Sequence, residues 1–145
     1  MVRIESRDIG RCVHILSRQI KRKVDEAVSK YDVTAVQCSF IKLIGEGAKH
    51  GDVYAKDIEA KFNMRRATVA EILSLMEKNG LITRESHVGD ARLKKITLTQ
   101  KSIEIQKNIE NEIKKVEDNL KNNLTKEEID KFMKLVQKMS KNIEK

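Results

Sequence analysis

The side chains with the clearest chemical potential in this sequence are cations, and their spacing suits gripping a polyanion. Arg65 and Arg66 stand together at the head of an apolar-periodic segment, and Arg84, Arg92, Lys94 and Lys95 follow close behind. A guanidinium can pair bidentately with a phosphate or a guanine edge, whereas a lysine ammonium acts as a point charge. Between and after them lie Ala67, Thr68, Ala70 and Glu71, small or polar groups that can approach a base edge. Catalysis has no comparable constellation. The carboxylates fall on charged helix faces and not in convergent pairs, and there is no nucleophile motif or Gly-rich phosphate loop. His14, His50 and His87 are isolated, without the spacing of a metal site, so neither a metal nor a cofactor is expected. Cys12 and Cys38 are too few for a disulfide scaffold and point to a reducing cytoplasm.

The charge balance supports this reading. The 145 residues carry a net charge of +8. That favours nucleic acid as partner, an anionic membrane surface second, with plain solubility as the bland alternative. The excess is uneven. Residues 56–101 hold ten basic and six acidic side chains, and residues 102–145 hold ten and nine. The C-terminal part is thus nearly balanced, as suits a solvated face over a protein–protein seam. No apolar run approaches the roughly 20 residues of a membrane span. Met1 to Arg11 is charged throughout, which argues against a signal peptide. The first helix is basic and amphipathic but lacks a bulky aromatic anchor, so no membrane partner is expected.

These cations need elements to hold them. A short helix is expected over Lys56 to Phe62, a break at Asn63-Met64, and a longer helix from about Arg66 to Lys78 that stops at Gly80. Val69, Ile72, Leu73 and Met76 recur at three- and four-residue steps and form its buried face. Two alternating strands follow, around a tight charged loop at Gly89-Asp90-Ala91-Arg92. Helix, turn, helix, hairpin is a helix-turn-helix with a wing, which can set one helix in the major groove while a basic loop reaches the neighbouring backbone or minor groove. Val53-Tyr54 is a candidate third strand.

Upstream, an amphipathic helix spans about Asp8 to Tyr31, with a stripe of Ile9, Val13, Leu16, Ile20, Val24 and Val28. A second helix starts at Thr34, where Gln37 completes a capping box, and ends at Gly45 and Gly47. Downstream, Thr99 can cap a long helix reaching about Asn122. Thr125 with Glu128 caps a last one. The apolar stripes there include Ile113 and Leu120, then Ile129, Phe132, Val136 and Ile143. The division is therefore 1–33, an N-terminal dimerisation helix; 34–99, the winged helix-turn-helix; and 100–145, C-terminal dimerisation helices. The fold class is mainly α (α+β).

The central stretch resembles the MarR (multiple antibiotic resistance regulator) family of transcription factors. Leu75-Met76-Glu77-Lys78-Asn79-Gly80-Leu81-Ile82-Thr83-Arg84, Asp90-Ala91-Arg92 and Ile96-Thr97-Leu98-Thr99 look like its L-x-E-x-x-G-L-I-x-R, D-x-R and I-x-L-T signature. Thr34-Ala35-Val36-Gln37 is similar to its T-x-x-Q. Three positions depart: Ser102 replaces a usual Gly, Glu59 a small residue, and Tyr54 stands near an expected capping Ser or Thr.

The resemblance implies a homodimer clasped by the terminal helices, with double-stranded DNA as partner and a ligand pocket for a small aromatic effector. Two recognition helices related by a two-fold axis suit a pseudo-palindromic operator with half-sites about 10 bp apart. Arg65, Arg66, Ala67 and Thr68 would meet the major groove, with Ala70 and Glu71 beside them. Arg92 would enter the minor groove from the wing tip, and Arg84, Lys94 and Lys95 would add backbone contacts. Asp90 would hold an arginine and leave DNA untouched. Three rival readings stand beside a ligand-responsive repressor: a monomeric helical bundle, a sequence-neutral nucleoid-type or adaptor protein, and a redox sensor acting through Cys12.

Overall fold

The computed structural model describes residues 3–5 and 7–144. Six helices and one two-stranded antiparallel sheet follow in the order α1 (Ile9–Ser29), α2 (Ala35–Gly47), α3 (Ala55–Phe62), α4 (Arg66–Lys78), β1 (Ile82–His87), β2 (Asp90–Leu98), α5 (Gln100–Lys121) and α6 (Lys126–Ile143). None of the described helices is long and apolar enough to cross a membrane.

Local chemistry sets most of the boundaries. Thr34 caps α2 through a reciprocal box: its hydroxyl accepts from the Gln37 amide at 3.1 Å, and Gln37 Oε1 accepts from the Thr34 amide at 3.1 Å. Thr125 and Glu128 start α6 in the same way, at 3.1 and 2.9 Å. Thr99 caps α5 by accepting from the Ser102 amide. Ser102, the departure from Gly, is fully buried, and its hydroxyl donates to the Thr99 carbonyl at 3.0 Å, so the extra polar atom is satisfied. Tyr54 offers α3 no side-chain cap. The compensating half comes from Asp57, whose carboxylate accepts from the Tyr54 amide at 2.8 Å.

Three details differ from expectation. Gly45 does not end α2, which continues to Gly47. A Cβ at Gly45 would sit 3.3 Å from Leu98 Cδ1, and one at Gly47 would sit 2.7 Å from Val53 Cγ2. Gly47 thus serves close packing of α2 against the bridge residue Val53. Second, the tight turn of the hairpin is Val88-Gly89, with Gly89 at φ +99°, and not Gly89 to Arg92. Asp90, Ala91 and Arg92 belong to β2: Asp90 pairs with His87, and a register shift between Ser86 and His87 leaves Ala91, Arg92 and Leu93 opposite that step. Third, the extra strand reduces to one bridge residue: Val53 pairs with Ile96, whose amide donates to the Val53 carbonyl at 2.8 Å. Tyr54 instead sits at the head of α3.

One buried cluster runs through the winged unit and into its flanks. It takes Phe40, Ile41 and Ile44 from α2, Ile58 from α3, Val69, Leu73 and Met76 from α4, and Ile82 and Ile96 from the sheet. Val28 of α1 and Ile109 of α5 join the same cluster. Helices α1 and α5 are therefore seated on the winged unit, and Lys30, at the C-cap of α1, reaches Glu112 of α5 at 3.5 Å. Helix α6 differs: none of its residues is buried.

Candidate nucleic-acid interface

The turn between α3 and α4 decides what α4 presents. Asn63 adopts φ 50°, ψ 47°, the left-handed region that asparagine tolerates, and reverses the chain. Helix α4 then starts at Arg66, with Arg65 as its extended N-cap residue. Val69, Leu73 and Met76 lie within 1 % exposure and hold one face of α4 in the core. Ile72 packs half-buried beside them, and the helical period turns the residues off that face outward. Arg65, Arg66, Ala67, Thr68, Ala70 and Glu71 are all exposed, as their spacing predicted. The first turn of α4 carries no acidic residue, so nothing there offsets the positive end of the helix dipole.

The hairpin stands beside this helix. Arg92 and Lys94 of β2 line a cleft of about 360 Å³ with Lys56 at the start of α3 and Arg66 and Ala70 of α4. Four elements thus bring Lys56, Arg66, Arg84, Arg92 and Lys94 to one opening, with Glu59 as the single carboxylate in its wall. Asp90 does hold Arg92, but through the backbone: its Oδ1 accepts from the Arg92 amide at 2.9 Å. That bond fixes the strand where it leaves the turn and leaves the Arg92 guanidinium out of it.

Arg84 has an employment that the sequence did not announce. Its Nε donates to Glu77 Oε2 at 3.1 Å and its Nη2 to Glu77 Oε1 at 3.2 Å, with Ser74 Oγ at 3.5 Å. Its side chain is 21 % exposed. Glu77 is held below the usual carboxylate range, first by hydrogen bonding to Arg84 and then by the charges of Arg84 and Lys94, against a desolvation effect of opposite sign. Lys95 is also committed, to Asp52 at 3.1 Å. The expected backbone contacts of Arg84 and Lys95 would each have to replace an existing ion pair.

Sequence reasoning missed Tyr54 and Lys56. The Tyr54 ring lies 6.0 Å from the His87 ring, and Lys56 Nζ lies 5.8 Å from the Tyr54 centroid. The available signal was Lys56 at the first turn of the helix preceding the turn, the element that crosses the backbone in a helix-turn-helix. Val88, at the tip of the hairpin, is 95 % exposed.

Residues 48–94 match the model of the MarR family. That stretch spans α3, α4, β1 and the first residues of β2, the segment that carries the cationic cleft. Solved structures extend the likeness over nearly the whole chain. MepR of Staphylococcus aureus, a transcription regulator of the multidrug efflux pump MepA, is 21 % identical, with a TM-score of 0.82 over 94 % of this chain and 98 % of that one. A MepR mutant bound to an oligodeoxyribonucleotide gives 22 %, 0.76, 95 % and 99 %. MarR of Oenococcus oeni gives 28 %, 0.60, 92 % and 99 %. The mainly α winged-helix fold with long terminal helices is therefore shared with MarR-family proteins from several bacteria.

The other residues singled out from sequence lie away from the cationic cleft. Ile9, Phe132 and Ile143 are 63 %, 54 % and 86 % exposed in the single chain. Ile113, Leu120 and Val136 are also exposed, and Ile129 is half-buried. Cys12 is half-buried on α1. Cys38 lines an apolar cavity of about 400 Å³ between α1, α2 and α5, with Val28, Ile41, Ile105 and Ile109. Burial pushes the Cys38 thiol up, so it is neutral at physiological pH.

Proposed function

We propose that this protein is a sequence-specific, DNA-binding transcriptional regulator that reads a pseudo-palindromic operator as a homodimer. The observation that carries this reading is the exposed strip running from Arg65 through Glu71 to Arg92 and Lys94. It combines the uncapped, cation-bearing start of one helix with a basic hairpin at its side. Arg65, Arg66, Ala67 and Thr68 meet the major groove, with Ala70 and Glu71 at its edge. Arg92 enters the adjacent minor groove, and Lys94 and Lys56 hold phosphate. The oligodeoxyribonucleotide complex of a MepR mutant supports the choice of partner.

The homodimer reading rests on α6 and the outer part of α5. Their apolar stripes are left largely exposed in one chain, and a second copy supplies the same stripes in return. The effector reading rests on the apolar cavity between α1, α2 and α5. A small aromatic molecule seated there would touch both a terminal helix and the winged unit. It would act as an inducer by favouring one spacing of the two recognition helices over another. The sign of regulation follows from where the operator lies, and repression is the simplest outcome of an operator that overlaps a promoter.

The test is a binding titration against promoter fragments, beginning with the protein's own, with random duplex as competitor. A specific regulator keeps its fragment at large competitor excess. Loss of the fragment at modest excess would favour a sequence-neutral DNA-coating role instead.

A further inference from the structure

We propose that Arg84 is a positioning residue for DNA reading, whose guanidinium locks the first wing strand to the recognition helix through Glu77 and Ser74. The proposal rests on the DNA-binding reading above and assigns Arg84 a role other than contact with the duplex. The guanidinium meets Glu77 through two separate nitrogens, at 3.1 and 3.2 Å, which fixes orientation as well as distance. Ser74 stands one turn away from Glu77 on the same face of α4, at 3.5 Å from the same guanidinium.

The need for such a lock follows from burial. Ile82 is the one buried residue of β1, and the strand from Thr83 to His87 is otherwise exposed, apart from the half-buried Arg84. A two-stranded ribbon alone is only marginally rigid in water. Reading a major groove and its neighbouring minor groove at once requires a fixed angle between helix and ribbon. Arg84 sits two residues outward from the last apolar anchor of β1, where such an angle can be set.

Electrostatics alone makes the opposite prediction for Glu77. A carboxylate on a DNA-facing helix repels phosphate, so neutralising it should tighten binding. Under the positioning role, neutralising it weakens binding, because the wing loses its brace.

The experiment uses the full chain and a duplex of about 30 bp, long enough for two half-sites, selected by the wild-type protein from a random pool. Affinity and its salt dependence are measured for wild type, Glu77→Gln, Arg84→Gln, Arg84→Lys and the Glu77→Gln/Arg84→Gln pair. Thermal melting verifies that each variant is folded. Each single change is expected to weaken binding about fivefold, with the pair no worse than either single. The slope of affinity against salt stays unchanged, and Arg84→Lys fails to rescue because an ammonium lacks the fork. Amide exchange in the free protein quickens over residues 83–95 in all four variants.

Unchanged or tighter binding by Glu77→Gln overturns the proposal. So does a loss of about one phosphate contact from the salt slope of Arg84→Gln. A wild-type protein that selects no duplex overturns the DNA reading. The exchange measurement then decides the lock by itself, and unchanged exchange would remove it.

Discussion

Arg92 and Asp90 show how a single side chain is prepared for a partner. Asp90 accepts the Arg92 amide and so braces the strand just beyond the turn, while the guanidinium stays outside that bond. Arg92→Ala is accordingly expected to weaken the specific complex by about 1–3 kcal/mol, with roughly one phosphate equivalent lost from the salt slope if it also neutralises backbone charge. Anisotropy titrations at several salt concentrations measure both. Affinity equal to wild type would remove the wing from the interface.

Glu77 makes a prediction in acid. Its folded-state pKa lies below the ordinary carboxylate value of 4.5, chiefly because of the Arg84 hydrogen bonds. A depressed carboxylate contributes stability at pH above its unfolded value and loses it as pH falls through its folded one. Stability of the wild type should therefore fall more steeply below pH 4.5 than that of Glu77→Gln. Urea titrations between neutral pH and the acid limb compare the two, and parallel curves would mean that the pair does not couple to folding.

At the scale of elements, the chain is fastened by caps and by close approaches. The caps at Thr34 and Thr125 were legible because a hydroxyl followed by Gln or Glu three residues on has one local use, and the cap at Thr99 because a hydroxyl heads an apolar-periodic run. The approaches were not. Gly45 and Gly47 read as a helix stop, yet α2 runs through the first and ends on the second. Their reason is tertiary: Leu98 and Val53 lie where a side chain would go. Gly47→Ala is expected to destabilise by about 1–3 kcal/mol, because Val53 is buried and must shift, despite the better helix propensity of alanine. A thermal melt at or above the wild-type midpoint would contradict that account. The hairpin teaches the same lesson. Its existence followed from alternation and glycine, but its turn lies at Val88-Gly89, because a register shift places three residues of β2 opposite the step from Ser86 to His87.

For the whole molecule, the decisive feature is a helix that buries no residue in the single chain. Helix α6 has an apolar stripe and no buried residue. Leaving Phe132, Met133, Val136 and Ile143 in water forgoes burial that a two-fold partner would supply. Phe132→Lys with Val136→Asp is expected to convert a dimer into a species sedimenting at the 16.7 kDa of one chain. Operator affinity should fall with it, because two half-sites no longer share one body. A wild-type protein that already sediments as one chain would refute the dimer.

Taken by itself, the amino-acid sequence determined the elements and the inward and outward faces of α4. Both follow from period and capping, which act over a few residues. It also identified the MarR-like unit, because the signature residues lie along one continuous stretch. It could not say that Arg84 would turn to Glu77, that Lys95 would turn to Asp52, or that Lys56 and Tyr54 would join the cleft. Those outcomes depend on which segments come to lie side by side. A cation's partner is chosen by distance in space, which the linear order of residues does not record, and only the tertiary structure decided it.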